Sequence, residues 1–225
     1  MLPATAGATG YTPGTADDVL ANDAICSLRE AIEAASTNAA VGGCPAGNPT
    51  GADSIVLGAA TYRLTRSGAG DDNGDLDANG GGPLNIAGAG ADQTAIAVEG
   101  AGDRVLEIGP GATVTVGNVT IRGGRPPDAP PAPPHSPAVP SVPLQGSDGG
   151  GVLNLGTLSM SDSVVTDNVA GDGALGGAAD TTPGQAAHGG EGGSGGNGGG
   201  IYNVSGATLT LDRVRVSGNR AGAGG

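Results

Sequence analysis

Three segments of this chain, 113–124 (TVTVGNVTIRGG), 157–168 (TLSMSDSVVTDN) and 208–219 (TLTLDRVRVSGN), carry one pattern. Each reads as an alternating strand, a short polar corner, a second alternating strand and a Gly or Asn turn. Val114 and Val116, Leu158 and Met160, and Leu209 and Leu211 hold like positions in the first strand. Val119 and Ile121, Ser163 and Val165, and Val214 and Val216 do so in the second. Period-two alternation sends each set to one face. The spacings from Val114 to Leu158 and from Leu158 to Leu209 are 44 and 51 residues, and the irregularity sits in two low-complexity stretches, 125–148 and 171–199. Without those 24 and 29 residues the spacings become 20 and 22, coil lengths of a solenoid with insertions confined to loops.

The rhythm continues backwards through 104–109 (RVLEIG), 94–100 (TAIAVEG), 83–88 (PLNIAG) and 53–65 (DSIVLGAATYRLT). Short strands between Gly-rich turns also suit a β-sandwich. A sandwich gives no reason for aligned coils, however, and rarely omits large aromatics. This chain has no Phe or Trp and only 3 Tyr, so its apolar residues must pack as small contacts in a narrow interior. The reading is an all-β solenoid, a parallel β-helix. Asn154 and Asn203, after GGGVL and GGGIY, and Asn168 and Asn219, at the ends of second strands, fit corners that hydrogen-bond to coils above and below.

One segment breaks the pattern. In CSLREAIEAAS (26–36), Ser27 and Glu30 form an S-x-x-E capping box, and Leu28, Ala31, Ile32 and Ala35 fall on one stripe. Arg29, Glu30 and Glu33 are expected on other faces. The spacing predicts an amphipathic helix over about 27–37 inside an N-terminal cap, 1–52, lying across the open first coil. Coils over 53–124 follow, then the Pro-rich insert 125–148, then further coils over 149–225 interrupted by the Gly-rich insert 171–199. The glycines lack a G-X-Y period, and the second insert reads as a flexible loop.

Cys26 and Cys44 lie 18 positions apart without a metal-ligand pattern between them. A disulfide there contributes ~3 kcal/mol by chain entropy, the alternative being two unrelated buried thiols. A disulfide implies export. The opening MLPATAGATG lacks the regions of a secretory signal, so a trimmed N-terminus or a fragment of a longer chain is expected, and the ending NRAGAGG is read the same way. The net charge of −13 disfavours nucleic acid and anionic membranes, and no apolar run reaches the ~20 residues needed to cross a bilayer.

CSLREAIEAA, then DSIVLGAATYRLT, then GDLDANGGGPLNIAGAGADQTAI, then DRVLEI and VTVGNVTIRGG, resemble in order the bacterial CSLREA-domain proteins. The later GGGVLNLGTLSMSDSVVTDN and GGGIYNVSGATLTLDRVRVSGN look like repeats of that family and of polymorphic outer-membrane proteins. The likeness covers roughly 15–124 and 149–221. It implies an exported bacterial surface protein with a pectin-lyase-like, right-handed, single-stranded parallel β-helix.

Candidate chemistry is sparse. Asp71, Asn73, Asp75 and Asp77 alternate in a Gly-rich stretch and could bind Ca²⁺ through oxygen, though the EF-hand order fails, with Gly82 where a bidentate Glu is needed. A solvated acidic turn is the alternative. Arg104, Arg122, Arg213, Arg215 and Arg220 could line a groove but make poor bases. His135 and His188 fall inside the inserts. Asp162 and Asp167 meet Arg213 and Gly218, not acids, in the next coil, so paired carboxylates for glycoside hydrolysis are not indicated. Asn118 and Asn203 head glycosylation sequons common by chance. No catalytic or cofactor-binding residue is assigned. The expected function is a non-catalytic surface protein whose partners are glycans or host or cell-surface components, together with the rest of its own β-helix. The alternatives are a Ca²⁺-dependent polysaccharide lyase or glycoside hydrolase of the same fold, and a purely structural stalk.

Overall fold

The computed structural model describes residues 8–68, 73–100, 102–132, 143–178 and 189–225. It consists of three sheets, parallel throughout, and one helix. After β1 (Gly10–Tyr11) and helix α1 (Leu28–Thr37) come β2 (Asp53–Val56), β3 (Thr61–Leu64) and β4 (Leu76–Ala78). The cycle repeats as β5 (Leu84–Ala87), β6 (Ala95–Val98) and β7 (Leu106–Ile108), then as β8 (Thr113–Gly117), β9 (Thr120–Arg122) and β10 (Val152–Asn154). It closes with β11 (Thr157–Ser161), β12 (Val164–Thr166), β13 (Ile201–Asn203), β14 (Thr208–Asp212) and β15 (Arg215–Ser217). Apart from the β1–β2 pair, paired strands lie three elements apart, giving the orders β1-β2-β5-β8-β11-β14, β3-β6-β9-β12-β15 and β4-β7-β10-β13. This is an all-β, parallel, solenoid-like stack, in which each turn of the chain adds one strand to each sheet.

Register follows the apolar alternation. Val114, Leu158 and Leu209 lie side by side, as do Val116, Met160 and Leu211, and Ile121, Val165 and Val216. The inward members of the inner coils are buried in one continuous core of Ile, Leu, Val and Ala, with Tyr11 and Tyr62 its largest side chains. Slipping any strand by one residue would turn its apolar set outward, which fixes the pairing. The repeat has three strands, not two: VLN and IYN after the glycine triplets form β10 and β13. DLDA, expected as part of an acidic turn, supplies β4.

Corners stack as well. Asn118, Asp162 and Arg213 all take left-handed backbone at the same corner of successive coils. Asn154 donates to Asn203 Oδ1 at 2.6 Å, and Asn168 to Asn219 Oδ1 at 2.9 Å. Asn154, Asn168 and Asn219 also bond backbone of the coil beside them, and Asn203 bonds the Ala207 carbonyl of its own coil. Gly124 N–H donates to Asn168 Oδ1, and Asn219 donates to the Val165 carbonyl. These bonds satisfy polar groups inside turns where no strand ladder can reach them.

The described parts of the inserts are hydrogen-bonded to one another. Gly190, Gly193 and Gly196 donate to the carbonyls of Gly177, Ala174 and Gly171, so the two segments run antiparallel with one bond every third residue. Gly222 and Gly225 donate to Gly196 and Gly193 with the same step, and Gly171 and Ala174 to Ser147 and Leu144. Three residues per turn is the polyproline II period, so these segments form a bundle of extended helices bonded to one another. Glycine is required because backbones touch: a Cβ on Gly193 would strike the Leu144 carbonyl, and one on Gly222 the Gly171 carbonyl. Residues 189–197 carry a local glycine period of three, GGE-GGS-GGN. Gly193, Gly196 and Gly199 are buried there, and Glu191, Ser194 and Asn197 are exposed.

Candidate functional site

The polar chemistry of the molecule concentrates where the N-terminal segment meets β4. Ser27 is the N-cap of α1: its Oγ accepts from Glu30 N–H at 3.2 Å, and Glu30 Oε2 accepts from Ser27 N–H at 2.9 Å, a reciprocal capping box. Glu30 Oε1 also accepts from Ala21 N–H at 2.8 Å, and Ser27 Oγ donates to the Val19 carbonyl at 2.6 Å. Cys26 and Cys44 are joined by a disulfide that ties the helix start to the loop beyond its end.

Arg29 and Glu30, off the apolar stripe, are buried as well. The Arg29 guanidinium holds Asp18 through two bonds of 2.6 and 3.1 Å and donates to the carbonyls of Asp75 and Gly74. Asp18 Oδ2 accepts from Thr65 and Arg66 N–H, each at 2.9 Å. Burial alone would raise the Asp18 carboxyl, but Arg29 and these backbone donors hold it below the usual range. A helical stripe cannot reveal this, because periodicity places Arg29 off the apolar face while the incoming segment 15–26 covers that side too.

The result is that all three sheets are closed at their leading edge. β1 pairs with β2. The Ala16 carbonyl takes Arg63 N–H, and Asp18 takes the next amides of the β3 edge. Helix α1 lies against β4, where Ser36 Oγ donates to the Asp77 carbonyl and accepts from Asn79 N–H, and Asn38 donates to the Gly81 carbonyl. Leu28, Ala31, Ile32 and Ala35 are buried beneath it.

Beside this cap stands the one grouping of carboxylates, among the described residues, tight enough to hold a cation. Asp75 and Asp77 flank the inward Leu76, and Asp77 is the register partner of Glu107 on β7. One oxygen from each of Asp75, Asp77 and Glu107 lies within 4.8 Å of the others. Asp71 lies outside the described residues, and Asn73 packs beside Gly68. The structure thus brings together two of the four residues expected to bind Ca²⁺ and adds Glu107 from the next coil. Glu107 was legible from aligning DLDA with VLEI, where both acids follow a leucine.

The grouping already holds a cationic side chain. Arg104 Nη1 lies 3.2 Å from Asp75 Oδ2, 2.9 Å from Glu107 Oε2 and 3.9 Å from Asp103 Oδ1, and Nη2 donates to the Asp148 carbonyl. Burial, then the neighbouring charges of Asp103 and Glu107, push the Asp75 carboxyl up to about 6 against the opposing pull of Arg104. Three carboxylates suit calcium's preference for oxygen. A guanidinium fixed among them disfavours a second cation, so the donor set fits a half-buried ion-pair network better than a calcium site.

The remaining candidates do not converge. Arg213 forms two bonds to Asp162, of 2.6 and 2.8 Å, and pairs with Asp212; Asp162 is lowered and Arg213 raised by that contact. The missing acid opposite Asp162 is therefore a ladder of opposite charges. Arg122 and Arg215 lie on separate strands of the five-stranded sheet, with β12 between them, and Arg220 follows β15. Asp167 occupies a left-handed turn bonded to Thr166. Asn118 takes a left-handed corner, and the Asn203 side chain is engaged by Asn154 and Ala207. His135 and His188 lie outside the described residues. No helix among the described residues is long and apolar enough to cross a membrane. Comparison with protein-family models, with curated proteins and with solved structures returns no match.

Proposed function

We propose that this chain is a non-catalytic, exported surface protein of the CSLREA type, a right-handed single-stranded parallel β-helix that presents an elongated face for adhesion or cell-envelope interaction. The observation that carries the reading is how the polar groups are used. Ser27, Arg29, Glu30 and Asp18 are consumed in closing the first coil, and Arg104 pairs with Asp75 and Glu107 of the carboxylate grouping beside it. The Cys26–Cys44 disulfide fits an oxidising compartment. Glycans and host or cell-surface components are the partners such a face would meet. The test is a binding screen over glycans and cell-envelope fractions together with incubation on acidic polysaccharides, with and without Ca²⁺. Saturable binding without chain cleavage is expected. A stalk with no ligand would bind nothing saturably.

A second reading, a Ca²⁺-dependent polysaccharide lyase or glycoside hydrolase of the same fold, draws on the convergence of Asp75, Asp77 and Glu107. Robust Ca²⁺-dependent cleavage, lost in Asp75→Asn, would replace the first reading with this one.

A further inference from the structure

Three Asn-Gly steps occur in the chain, Asn73–Gly74, Asn79–Gly80 and Asn197–Gly198. Such a step can modify itself without an enzyme, because a glycine carries no Cβ to hinder the approach of its nitrogen to the asparagine Cγ. Ring closure has to turn the asparagine side chain onto that nitrogen and bend the main chain between them. How tightly each peptide is held therefore separates the three.

Two are held. Gly74 is buried, its N–H donates to the Arg66 carbonyl at 2.9 Å and its carbonyl accepts from Arg29 at 2.8 Å, and a Cβ there would strike Asp103. At the third step Asp148 Oδ1 accepts from both the main-chain N–H and Nδ2 of Asn197, at 2.6 and 3.0 Å. The carbonyls of Asn197 and Gly198 accept from Gly149 and Gly150 N–H. The second step differs. Asn79 is exposed, and Gly80 makes no main-chain to main-chain bond among the described residues. Apart from its chain neighbours, no atom lies within 4 Å of where a Gly80 Cβ would stand.

We propose that Asn79 is a self-modification site, at which the chain deamidates and loosens its own cap. The Gly80 nitrogen, on losing its proton to hydroxide, adds to Asn79 Cγ. The Cγ–Nδ2 bond breaks, Nδ2 takes a proton from water and leaves as ammonia, and a succinimide ring remains. Water then opens the ring. Attack at Cγ breaks its bond to the Gly80 nitrogen and gives aspartate in an ordinary chain. Attack at the Asn79 main-chain carbonyl breaks the peptide bond and leaves Gly80 joined through Cγ, an isoaspartate with one more atom in the main chain.

The place of Asn79 gives this change a consequence. Ser36 Oγ accepts from Asn79 N–H at 3.2 Å, and Asn38 Nδ2 donates to the Gly81 carbonyl at 2.9 Å, so the residues on either side of Gly80 hold the C-terminal end of α1. Gly81 is wedged against that helix: a Cβ on it would overlap the Ala35 carbonyl. With an extra atom between Asn79 and Gly81, both bonds cannot be kept at this contact, and the helix end lying against β4 is released.

The experiment is peptide mapping by mass spectrometry of the 225-residue protein held in warm, neutral buffer for several weeks, beside the same protein in denaturant. In denaturant the three asparagines should deamidate at similar rates. In the folded protein Asn79 should react several-fold faster than Asn73 and Asn197, with isoaspartate the main product. The isoaspartate-containing fraction should show faster amide exchange over 34–38. Asn79→Gln, unable to close so small a ring, should keep the starting protection there after the same incubation; if that variant fails to fold, the parent fraction without isoaspartate serves as the reference. Asn79 reacting no faster than the other two in the folded protein overturns the proposal, and so does isoaspartate at 79 with unchanged exchange over 34–38.

Discussion

Arg29 shows most clearly how a charged residue in a glycine-rich chain serves the fold. It is 2% exposed, its ion-pair partner Asp18 has no exposed side-chain surface, and between them they bond four further backbone groups. Removing one partner leaves the other charge buried without compensation, so Arg29→Ala should lower unfolding free energy by about 3–5 kcal/mol in chemical denaturation. Asp75, whose carbonyl accepts from Arg29, behaves in the opposite sense to Asp18. Its folded-state value of about 6 lies above the unfolded 3.8, so the folded protein binds more protons between those limits and Asp75 makes stability fall as pH rises through them. Asp18, held low, contributes stability that is present above the unfolded value and lost as pH falls below it. Asp75→Asn should therefore flatten a loss of up to roughly 3 kcal/mol between about pH 4 and 6 while leaving the acid limb in place, which melts at a series of pH values would read. The sequence revealed Ser27 and Glu30 because a capping box is local. It hid the Arg29–Asp18 pair, whose partners sit 11 positions apart in a segment without periodicity.

Elements were legible in proportion to their alternation. β8, β9, β11, β12, β14 and β15 follow from period two, and α1 from its stripe, with Ser27 as N-cap as expected. β4, β10 and β13 sit in acidic or glycine-rich stretches that read as turns, and their pairing across the stack makes them strands. The glycine-rich segments were misread for a different reason: extended helices bonded every third residue carry neither strand nor helix periodicity, only the repeat of GGX. In that bundle Gly193 and Gly189 separate geometry from composition. A Cβ on Gly193 would meet the Leu144 carbonyl, whereas one on Gly189 has its nearest neighbour, the Gly177 carbonyl, 3.5 Å away. Gly193→Ala should destabilise the bundle by about 1–3 kcal/mol, and Gly189→Ala should be near neutral; amide exchange in 171–178 and 189–198 would distinguish them.

At the scale of the whole molecule the chain is a parallel stack whose leading end is closed. Covering the first coil removes three unpaired edges at once, a problem every solenoid must solve at its termini. Repeat spacing revealed the stack, and the lone amphipathic helix revealed that something covers its start. The completeness of that cover, one device per sheet, emerges only when residues 10–18 are seen beside β2 and β3. Hydrogen exchange of the leading edge tests this most directly, by following Arg63, Thr65 and Arg66 amides, which donate to Ala16 and Asp18, in the parent protein and in Arg29→Ala. A cap that closes the stack predicts slow exchange in the parent and a selective loss of protection there in Arg29→Ala, with β11 and β12 amides unchanged. Fast exchange at these amides in the parent, or equal protection in both proteins, would contradict it.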